Sequence, residues 1–300
     1  MSREMSRQVG SLFLCLFFIL VFGCGTTKSL VKVLKPEKPV LQKRGLLCPL
    51  IDLAGVGPEK SAEINASLLE RLMKSPGLKM SGAPQDMRPS SGLRSPGFGI
   101  VIDPALVNRA SEMGVNALVS GVLNPIEIVT KSTGIWPFRN PSRIYTVSMV
   151  LNVVDVTSGC LYATNMASEK VTYHLDDLEG RKEEDIRGEV LKRALPDILK
   201  RQASTIAQEL AGEPWSGRVL SAENGQVTIS AGNDVGVRPG LLFTVFAKGE
   251  SIVCQSGRPL EILGKKVGEI KTTSVAADRS SAVPLEGGPF KSGQIVIVKR

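Results

Sequence analysis

Residues 114–123 read GVNALVSGVL, and the organisation of the chain can be worked out from this stretch. Val115 to Leu123 is an apolar run of strand length, and Gly121 within it allows another part of the chain to pack closely against the strand. Gly114 stands where a preceding helix would end. The stretch therefore predicts a helix-to-strand junction followed by a closely packed strand.

The sequence upstream of this stretch alternates between strand and helix patterns. Residues 46–53 form a continuous apolar run typical of a strand covered on both faces, although Pro49 favours an edge or a bulge at that point. A helix is predicted to begin at Pro58. After a loop rich in Ser, Pro and Gly, Ile100 starts a short strand and Pro104 starts a second helix. The residues predicted for the buried stripe of this second helix are Leu106, Ala110 and Met113.

Downstream, the chain predicts a long hairpin and then a helical region. The return arm of the hairpin alternates between apolar residues from Tyr145 to Val153 and polar residues between them, which is the period of a strand. The sequence DVTSG at 155–159 predicts a turn into another strand. Glu183 and the two acids after it place negative charge where a helix begins, and Gly212 ends the helical pattern.

The tip of the long hairpin carries two large aromatic side chains. Trp136 and Phe138 stand beside Arg139, at a position where burial within the chain's own core is difficult. Such a tip is a candidate contact for a protein partner or a membrane. The alternative is that the tip folds back onto its own sheet, and the sequence leaves both possibilities open.

From residue 217 onward the pattern changes to short strands and tight turns. Asn224-Gly225 is a hairpin signal, and about six strands fit into fewer than 90 residues. This spacing predicts a small all-β barrel.

The N-terminus has the features of a secretory signal peptide. Arg3 and Arg7 precede a short apolar run, and the run ends in Val21-Phe22-Gly23-Cys24. The run is too short to cross a bilayer, which requires about 20 residues as a helix. The last four residues resemble the lipobox of bacterial lipoproteins, and the resemblance implies that Cys24 is lipidated. An ordinary secreted protein cut near Gly23 is the alternative.

The lipobox resemblance also implies a location. Residue 25 is Gly rather than the Asp associated with retention in the inner membrane, which implies the periplasmic face of the outer membrane. Residues 24–45 carry six basic residues, one acid and two prolines, and they predict a flexible, lipidated basic tether.

Charge and cysteine content exclude several classes of function. The chain has a formal net charge of +8, but a secreted protein does not meet nucleic acid in the cytoplasm, so we expect no nucleic-acid partner. Cys48, Cys160 and Cys254 lack the CxxC spacing of zinc or redox sites. At most one disulfide can form among these three cysteines, and Cys48 fits a small core residue better than a ligand.

The order of these elements resembles a known group of envelope proteins. The first part of the chain resembles the α/β domain of curli-secretion (CsgG-like) lipoproteins and TolB N-terminal domains. The resemblance lies in the order of its elements, which is strand, helix, strand, helix, GVNALVSGVL, long hairpin, VVDVTSG and helix. The same order is similar to the middle domain of flagellar assembly protein T. The tail, with NGQVTISAGNDVGVRPGLLFTVF and GKKVGEIKTTSV, is similar to the SH3-like C-terminal domain of that flagellar protein. The flagellar protein's own N-terminal domain is missing here, where a lipidated tether stands instead.

The resemblance and the patterns together predict the domain organisation. Residues 1–23 form the lipoprotein signal peptide and residues 24–45 the tether. Residues 46–213 form an α/β (α+β) sandwich domain of the CsgG/TolB-N type, and residues 214–300 form an SH3-like β-barrel.

The sequence lacks the usual signatures of catalysis. His174 is the single histidine, and no P-loop or GxSxG string occurs. Asp176, Asp177 and the acids from Glu183 to Asp185 are better explained as charges that precede a helix. We therefore expect a protein that is not an enzyme and has neither a cofactor nor a metal.

The function implied by the resemblance is structural. We expect a lipid-anchored assembly component of an envelope machine, most simply the flagellar basal body. Its expected partners are the membrane through Cys24, envelope or flagellar proteins, and peptidoglycan, with a homo-oligomer or ring as a further possibility. A subunit of a curli-type secretion pore or a regulator of cell-wall synthesis remains an alternative. A cell-wall hydrolase acting through carboxylates is less consistent with the residues.

Overall fold

The computed structural model describes residues 41–84, 86–87, 94–95, 100–101, 104–133, 140–212, 214–253 and 259–299. The predictions for the signal peptide, for Cys24 and for most of the tether lie outside these residues. The predicted contact residues at the hairpin tip, Trp136, Phe138 and Arg139, also lie outside them.

The first part of the described chain alternates between strands and helices, as the apolar patterns predict, and we call it the sheet region. Its elements are β1 (Lys43–Leu47), β2 (Ile51–Asp52), α1 (Pro58–Met73), β3 (Leu78–Gly82), β4 (Arg94–Ser95), β5 (Ile100–Val101), α2 (Pro104–Glu112), β6 (Ala117–Leu123), β7 (Glu127–Thr133), β8 (Asn140–Asp155), β9 (Cys160–His174) and α3 (Glu183–Gly212).

Seven of these strands form one mixed sheet in the order β3-β1-β6-β8-β7, with β2 beside β6 and β9 beside β8. The pairings of β1 with β3 and with β6 are parallel, whereas β8 is antiparallel to β6, β7 and β9. The stretch GVNALVSGVL supplies β6, all of whose residues are buried. Gly121 is needed at its position because an added Cβ would lie 2.3 Å from the Leu151 side chain.

The apolar run at 46–53 is divided into β1 and β2 rather than forming one strand. Pro49 lies in the break between them, where its missing N–H removes no ladder hydrogen bond. On either side of the break the chain pairs in parallel with β6, and the backbone N–H of Cys48 donates to the Val119 carbonyl at 2.8 Å. From Leu47 to Ile51 this side advances four residues while β6 advances three, from Val119 to Val122, so the break is a bulge. Beyond it β2 pairs only with β6 among the described strands, which confirms the prediction of an edge or a bulge at Pro49.

Helices cover both faces of this sheet, because alternate strand residues point to opposite sides. Helices α1 and α3 pack on one face, around side chains such as Leu47, Val119 and Leu151. Helix α2 packs on the other face against Leu46 and Cys48, which confirms Cys48 as a core residue.

The buried stripe predicted for α2 is partly wrong. Leu106 and Ala110 are buried, but Met113 is 46% exposed and Val107 occupies the core instead. Since α2 ends at Glu112, Met113 lies beyond the last helical turn and does not continue its apolar face.

The C-terminal part forms a closed six-stranded barrel, as the spacing of strands and turns predicts. Its strands are β10 (Ser216–Glu223), β11 (Gln226–Ile229), β12 (Leu242–Val253), β13 (Pro259–Val275), β14 (Ser280–Gly287) and β15 (Ile295–Val298), closed in the order β10-β11-β14-β13-β12-β15. Phe243, Trp215 and Val296 are among the residues that fill its core. The architecture is thus a mixed α and β sheet region followed by a small barrel.

The first described residues belong to the folded body and not to a tether. Leu41 is buried in the core of the barrel, and the backbone N–H of Gln42 donates to the Val235 carbonyl at 2.9 Å. Strand β1 then begins at Lys43, inside the segment 24–45 for which the sequence predicts a tether. The charged residues at 43 and 44 resemble a solvated linker in sequence, but both have partners in the folded body. Among the described helices, none is both long and apolar enough to span a membrane.

Candidate binding site at the junction of sheet region and barrel

Asp234 of the barrel forms the main ionic contact between the two parts of the structure. It lies in a short 3-10 turn between β11 and β12, and its side chain is 17% exposed. The Arg44 guanidinium donates to both carboxylate oxygens, Nε to Oδ2 at 3.0 Å and Nη2 to Oδ1 at 2.7 Å. Lys79 Nζ donates to Oδ2 at 2.8 Å. We call Asp234, Arg44 and Lys79 the clamp.

The two basic residues of the clamp lie side by side on adjacent strands of the sheet. Arg44 on β1 lies opposite Lys79 on β3 in the parallel register. Arg44 also donates to the backbone carbonyls of Ser230, Asp278 and Gly114, at 2.9, 3.0 and 3.3 Å. These acceptors of the Arg44 guanidinium therefore join the start of β1 to the barrel and to Gly114, just beyond the end of α2.

The carboxyl of Asp234 is ionised at neutral pH. Its partial burial would by itself raise the pKa, because burial penalises the charged form. The hydrogen bonds and positive charges of Arg44 and Lys79 outweigh this penalty and hold the pKa of Asp234 below its usual value. The clamp is consequently a charge-assisted contact that acid weakens.

A second group of contacts joins the parts beside β6. The Asn116 side-chain amide donates to the backbone carbonyl of Ser216, while its Oδ1 accepts from the Arg44 backbone N–H at 3.0 Å. The hydroxyls of Thr157 and Ser216 lie 3.2 Å apart, and Arg218 Nη2 donates to the Thr157 carbonyl at 3.2 Å. The turn between β8 and β9 is thereby fixed against the first barrel strand.

Next to these contacts the structure leaves a cleft of about 390 Å³ between the sheet region and the barrel. Its lining is largely apolar, with some polar residues. Apolar residues in its lining include Val153, Leu161, Leu210, Leu263, Ile295 and Ile297, and polar residues include Lys43, Asn116, Asp155, Thr157, Ser158, Tyr162 and Ser216. A concave, mainly apolar surface with a few convergent polar groups is typical of a small-ligand or peptide site.

The position of Lys43 in this cleft follows from the fold. Its side chain is buried, with 8% of the residue exposed, and its ammonium donates to the Leu210 carbonyl in the last turn of α3. The C-terminus of a helix carries partial negative charge, so a cation is favoured there. Lys43 gives one side of the cleft a positive charge.

Asp155 in the lining of the cleft holds the turn between β8 and β9. Its carboxylate accepts from the backbone N–H groups of Thr157 and Ser158, at 3.4 and 2.8 Å. This is the turn that the sequence DVTSG predicts, and Gly159 adopts φ 71° within it. The geometry positions two hydroxyls at the rim of the cleft, an arrangement suited to binding.

The residues considered for catalysis from sequence do not line the cleft. His174 is exposed at the end of β9, and Asp176 and Asp177 are exposed in a 3-10 turn after it. Glu183 accepts from Arg187 Nε at 3.3 Å in the first turn of α3. Within the described ranges there is also no group of three or more His, Cys, Asp or Glu residues placed to hold a metal.

Sequence analysis did not single out the residues that form the junction. Lys43 and Arg44 look like two more charges of a basic linker, and Asp234 looks like a turn residue. The available signal was Leu41, an apolar residue two positions before Lys43, at the point where the apolar run of β1 begins.

Comparisons with known proteins find similar solved structures only. No family model and no curated protein matches this chain. Hypothetical protein CT253 from Chlamydia trachomatis is similar to 54% of this chain over 96% of its own length, with 17% identity and a TM-score of 0.31. Lipoprotein GNA1162 from Neisseria meningitidis is similar to 57% of this chain over 99% of its own, with 14% identity and a TM-score of 0.28.

A minor lipoprotein from Acinetobacter baumannii is similar to 57% of this chain over 93% of its own length, with 11% identity and a TM-score of 0.29. Two of these three structures are thus named as bacterial lipoproteins. At TM-scores below 0.5 the similarities do not establish a shared fold.

Proposed function

We propose that this chain is a lipid-anchored, non-catalytic assembly component of the bacterial cell envelope. The observation that carries the proposal is the junction of sheet region and barrel, where a clamp and side-chain hydrogen bonds join two modules into one body. A joined body with a fixed cleft is suited to holding partners in a set arrangement.

The anchor is the second element of the proposal. The lipobox-like stretch ending at Cys24 would carry a lipoprotein's acyl chains, and each buried CH₂ contributes about 0.8 kcal/mol to membrane binding. One acyl chain binds a membrane only marginally, whereas several hold a protein there stably. Gly25 after the cysteine favours the outer membrane, with the body on its periplasmic face. The segment from Cys24 to the first described residue would then span the distance from the membrane.

The finer identity of the machine follows from the sequence resemblance. We propose that the sheet region is of the CsgG/TolB-N type, that the barrel is SH3-like, and that the machine is the flagellar basal body. Under this proposal the cleft and the hairpin tip at Trp136, Phe138 and Arg139 are the surfaces that meet envelope proteins or peptidoglycan. Neither surface requires a cofactor or a metal for this role.

Lipidation is tested by replacing the cysteine. Cys24→Ala in the full chain, expressed in a Gram-negative host, should give an unprocessed precursor that takes up no labelled palmitate. Cys160→Ala is the matched control and should leave processing unchanged. Unaltered mobility of Cys24→Ala together with an unlabelled wild type would refute the anchor.

Partner binding is tested at the tip and at the cleft in the same host. Envelope proteins crosslinked to the wild type should be lost from Trp136→Ala/Phe138→Ala if the tip is a contact, while the melting temperature stays the same. Ser158→Arg, which adds a bulky charge at the rim of the cleft, tests the second surface. Flagellar proteins among the captured partners would support the flagellar role, and cell-wall synthases would favour a regulatory one. Capture unchanged by all of these substitutions would refute a binding role for both surfaces.

A further inference from the structure

Strand β7 is an exposed edge of the seven-stranded sheet. It pairs with the first part of β8 along one side, from Glu127 opposite Thr146 to Thr133 opposite Asn140. All residues from Glu127 to Ser132 are exposed, so neither face of the strand is covered. Ile128 and Val129 are aliphatic residues that remain 38% and 46% exposed.

The other side of β7 has no neighbouring strand among the described residues. Strand β6 lies on the same side of β8, and its outer edge pairs with β1 and β2. That pairing ends at Leu123, opposite Asp52, and β7 continues beyond it. The outward backbone N–H and C=O groups of β7 form a template on which another strand can add.

The sequence of β7 is complementary to itself when two copies run antiparallel. With Val129 opposite Val129 of a second copy, Glu127 faces Lys131 at both ends of the pair, and Ile128 faces Thr130. Glu127, Val129 and Lys131 share one face of the strand, since they are two residues apart. Opposite charges directly across a ladder stabilise it, and like charges destabilise it.

The two charged side chains are available for this role. Within the described part of the chain, the side chains of Glu127 and Lys131 form no salt bridge or hydrogen bond; only the backbone carbonyl of Lys131 accepts from the Ser142 hydroxyl, at 3.4 Å. A register centred on Thr130 would place Val129 opposite Lys131 and would form no ion pair. The charges therefore select the register centred on Val129.

We propose that β7 pairs with β7 of a second copy of this chain, antiparallel and about a two-fold axis through Val129. Strands β7, β8 and β9 of the two copies then form one continuous six-stranded sheet in the order β9-β8-β7-β7-β8-β9. This is an isologous contact, in which both copies use the same surface: where residue i of one copy contacts residue j of the other, residue j of the first copy contacts residue i of the second. The contact buries the exposed aliphatic residues and pairs the open backbone edge.

The contact is small compared with stable protein interfaces, which bury at least about 1,200 Å². We therefore expect a weak dimer in solution. A membrane anchor would raise the local concentration and favour the same dimer, but the pairing does not depend on the anchor. Measurements on the full chain in detergent consequently test the dimer separately from the proposed envelope function.

Cysteine crosslinking tests the register. In a paired ladder the two copies of residue 129 have Cα atoms about 4.5–5.5 Å apart, within the range of a disulfide. Two copies of residue 127 would lie about 13 Å apart, which is too far. Val129→Cys should oxidise to a dimer, and Glu127→Cys alone should not. Glu127→Cys mixed with Lys131→Cys should form the mixed dimer, with the parent chain oxidised alongside to measure the background.

Charge exchange provides an independent test. Lys131→Glu places four carboxylates across the two-fold axis and should weaken self-association roughly tenfold by sedimentation equilibrium. Adding Glu127→Lys to the same chain restores both ion pairs and should restore the dimer. Both positions are exposed, so the fold should tolerate the changes, and melting temperatures check this. A failure of the double variant to regain association, or crosslinks at all three cysteine positions alike, would overturn the proposal.

Discussion

Replacing Asp234 by Asn should loosen the attachment of the barrel to the sheet region. The carboxylate accepts two hydrogen bonds from Arg44 and one from Lys79, and its side chain is 17% exposed. The amide has nearly the same shape, but it has no charge and offers one acceptor oxygen in place of two. Arg44 would then depend mainly on its three backbone carbonyl acceptors.

The expected loss of stability follows from these contacts. Breaking a fully buried ion pair by removing one partner costs about 3–5 kcal/mol. The partial exposure of Asp234 and the remaining acceptors of Arg44 lower this cost to about 2 kcal/mol. For a chain of this size such a loss corresponds to a fall of about 6 °C in the melting temperature.

The assay is thermal unfolding of the full chain at neutral pH, followed by circular dichroism. Asp278→Asn is the matched control, because the side chain of Asp278 forms an exposed pair with Arg279 and only its backbone carbonyl contacts Arg44. The control should melt as the wild type does. If Asp234→Asn also melts with the wild type, the clamp does not stabilise the junction and the reasoning fails.

Acid should abolish the difference between the two chains. The folded-state pKa of Asp234 is lowered, so the unfolded state binds its proton first as the pH falls. The stabilisation is complete above the unfolded pKa of about 3.9 and is lost as the pH falls through the lowered folded value. A wild-type advantage that persists undiminished at the lowest pH would contradict this assignment.

Three further substitutions test the packing of the sheet region. Gly121→Ala should cost about 1–3 kcal/mol, because the new Cβ would lie 2.3 Å from the Leu151 side chain, whereas Gly188→Ala in α3 meets open space and should stabilise by about 0.5–1 kcal/mol. Urea unfolding of both variants measures these effects. If Gly121→Ala and Gly188→Ala have equal free energies of unfolding, β6 accommodates a Cβ at position 121 and the reasoning is wrong. Gln202→Leu should destabilise by about 2 kcal/mol, because the fully buried Gln202 amide donates to the Met149 carbonyl at 2.8 Å. Stability equal to that of the wild type would mean that water replaces this donor.

Much of the fold could be predicted because it depends on local patterns. The helices at Pro58 and Pro104, the turn at 155–159 and the six barrel strands all follow from apolar periodicity and from turn residues. These signals are complete within a few residues, so no knowledge of the rest of the chain is needed. The sharper assignments, to the CsgG/TolB-N type and to the flagellum, depend on resemblance and remain proposals.

The candidate site could not be predicted in the same way. Arg44 and Asp234 are 190 residues apart, and nothing in the sequence around either residue distinguishes it from an ordinary surface charge. Lys43 looked like part of a tether until the fold placed it against the end of α3. The partner of a charged residue can be identified only from the tertiary structure, because the two residues are distant in sequence.

The sequence by itself predicted most of the helices and strands, the C-terminal barrel and the lipobox-like N-terminus, because each rests on residue spacing. It did not predict β3 or β4. Only the tertiary structure decided where the folded body begins, that the chain forms a bulge at Pro49 between β1 and β2, and that one edge of β7 has no neighbouring strand among the described residues. These features depend on contacts between distant segments. Their energies arise from burial and from charge pairing, which exist only when the whole sheet and barrel are assembled.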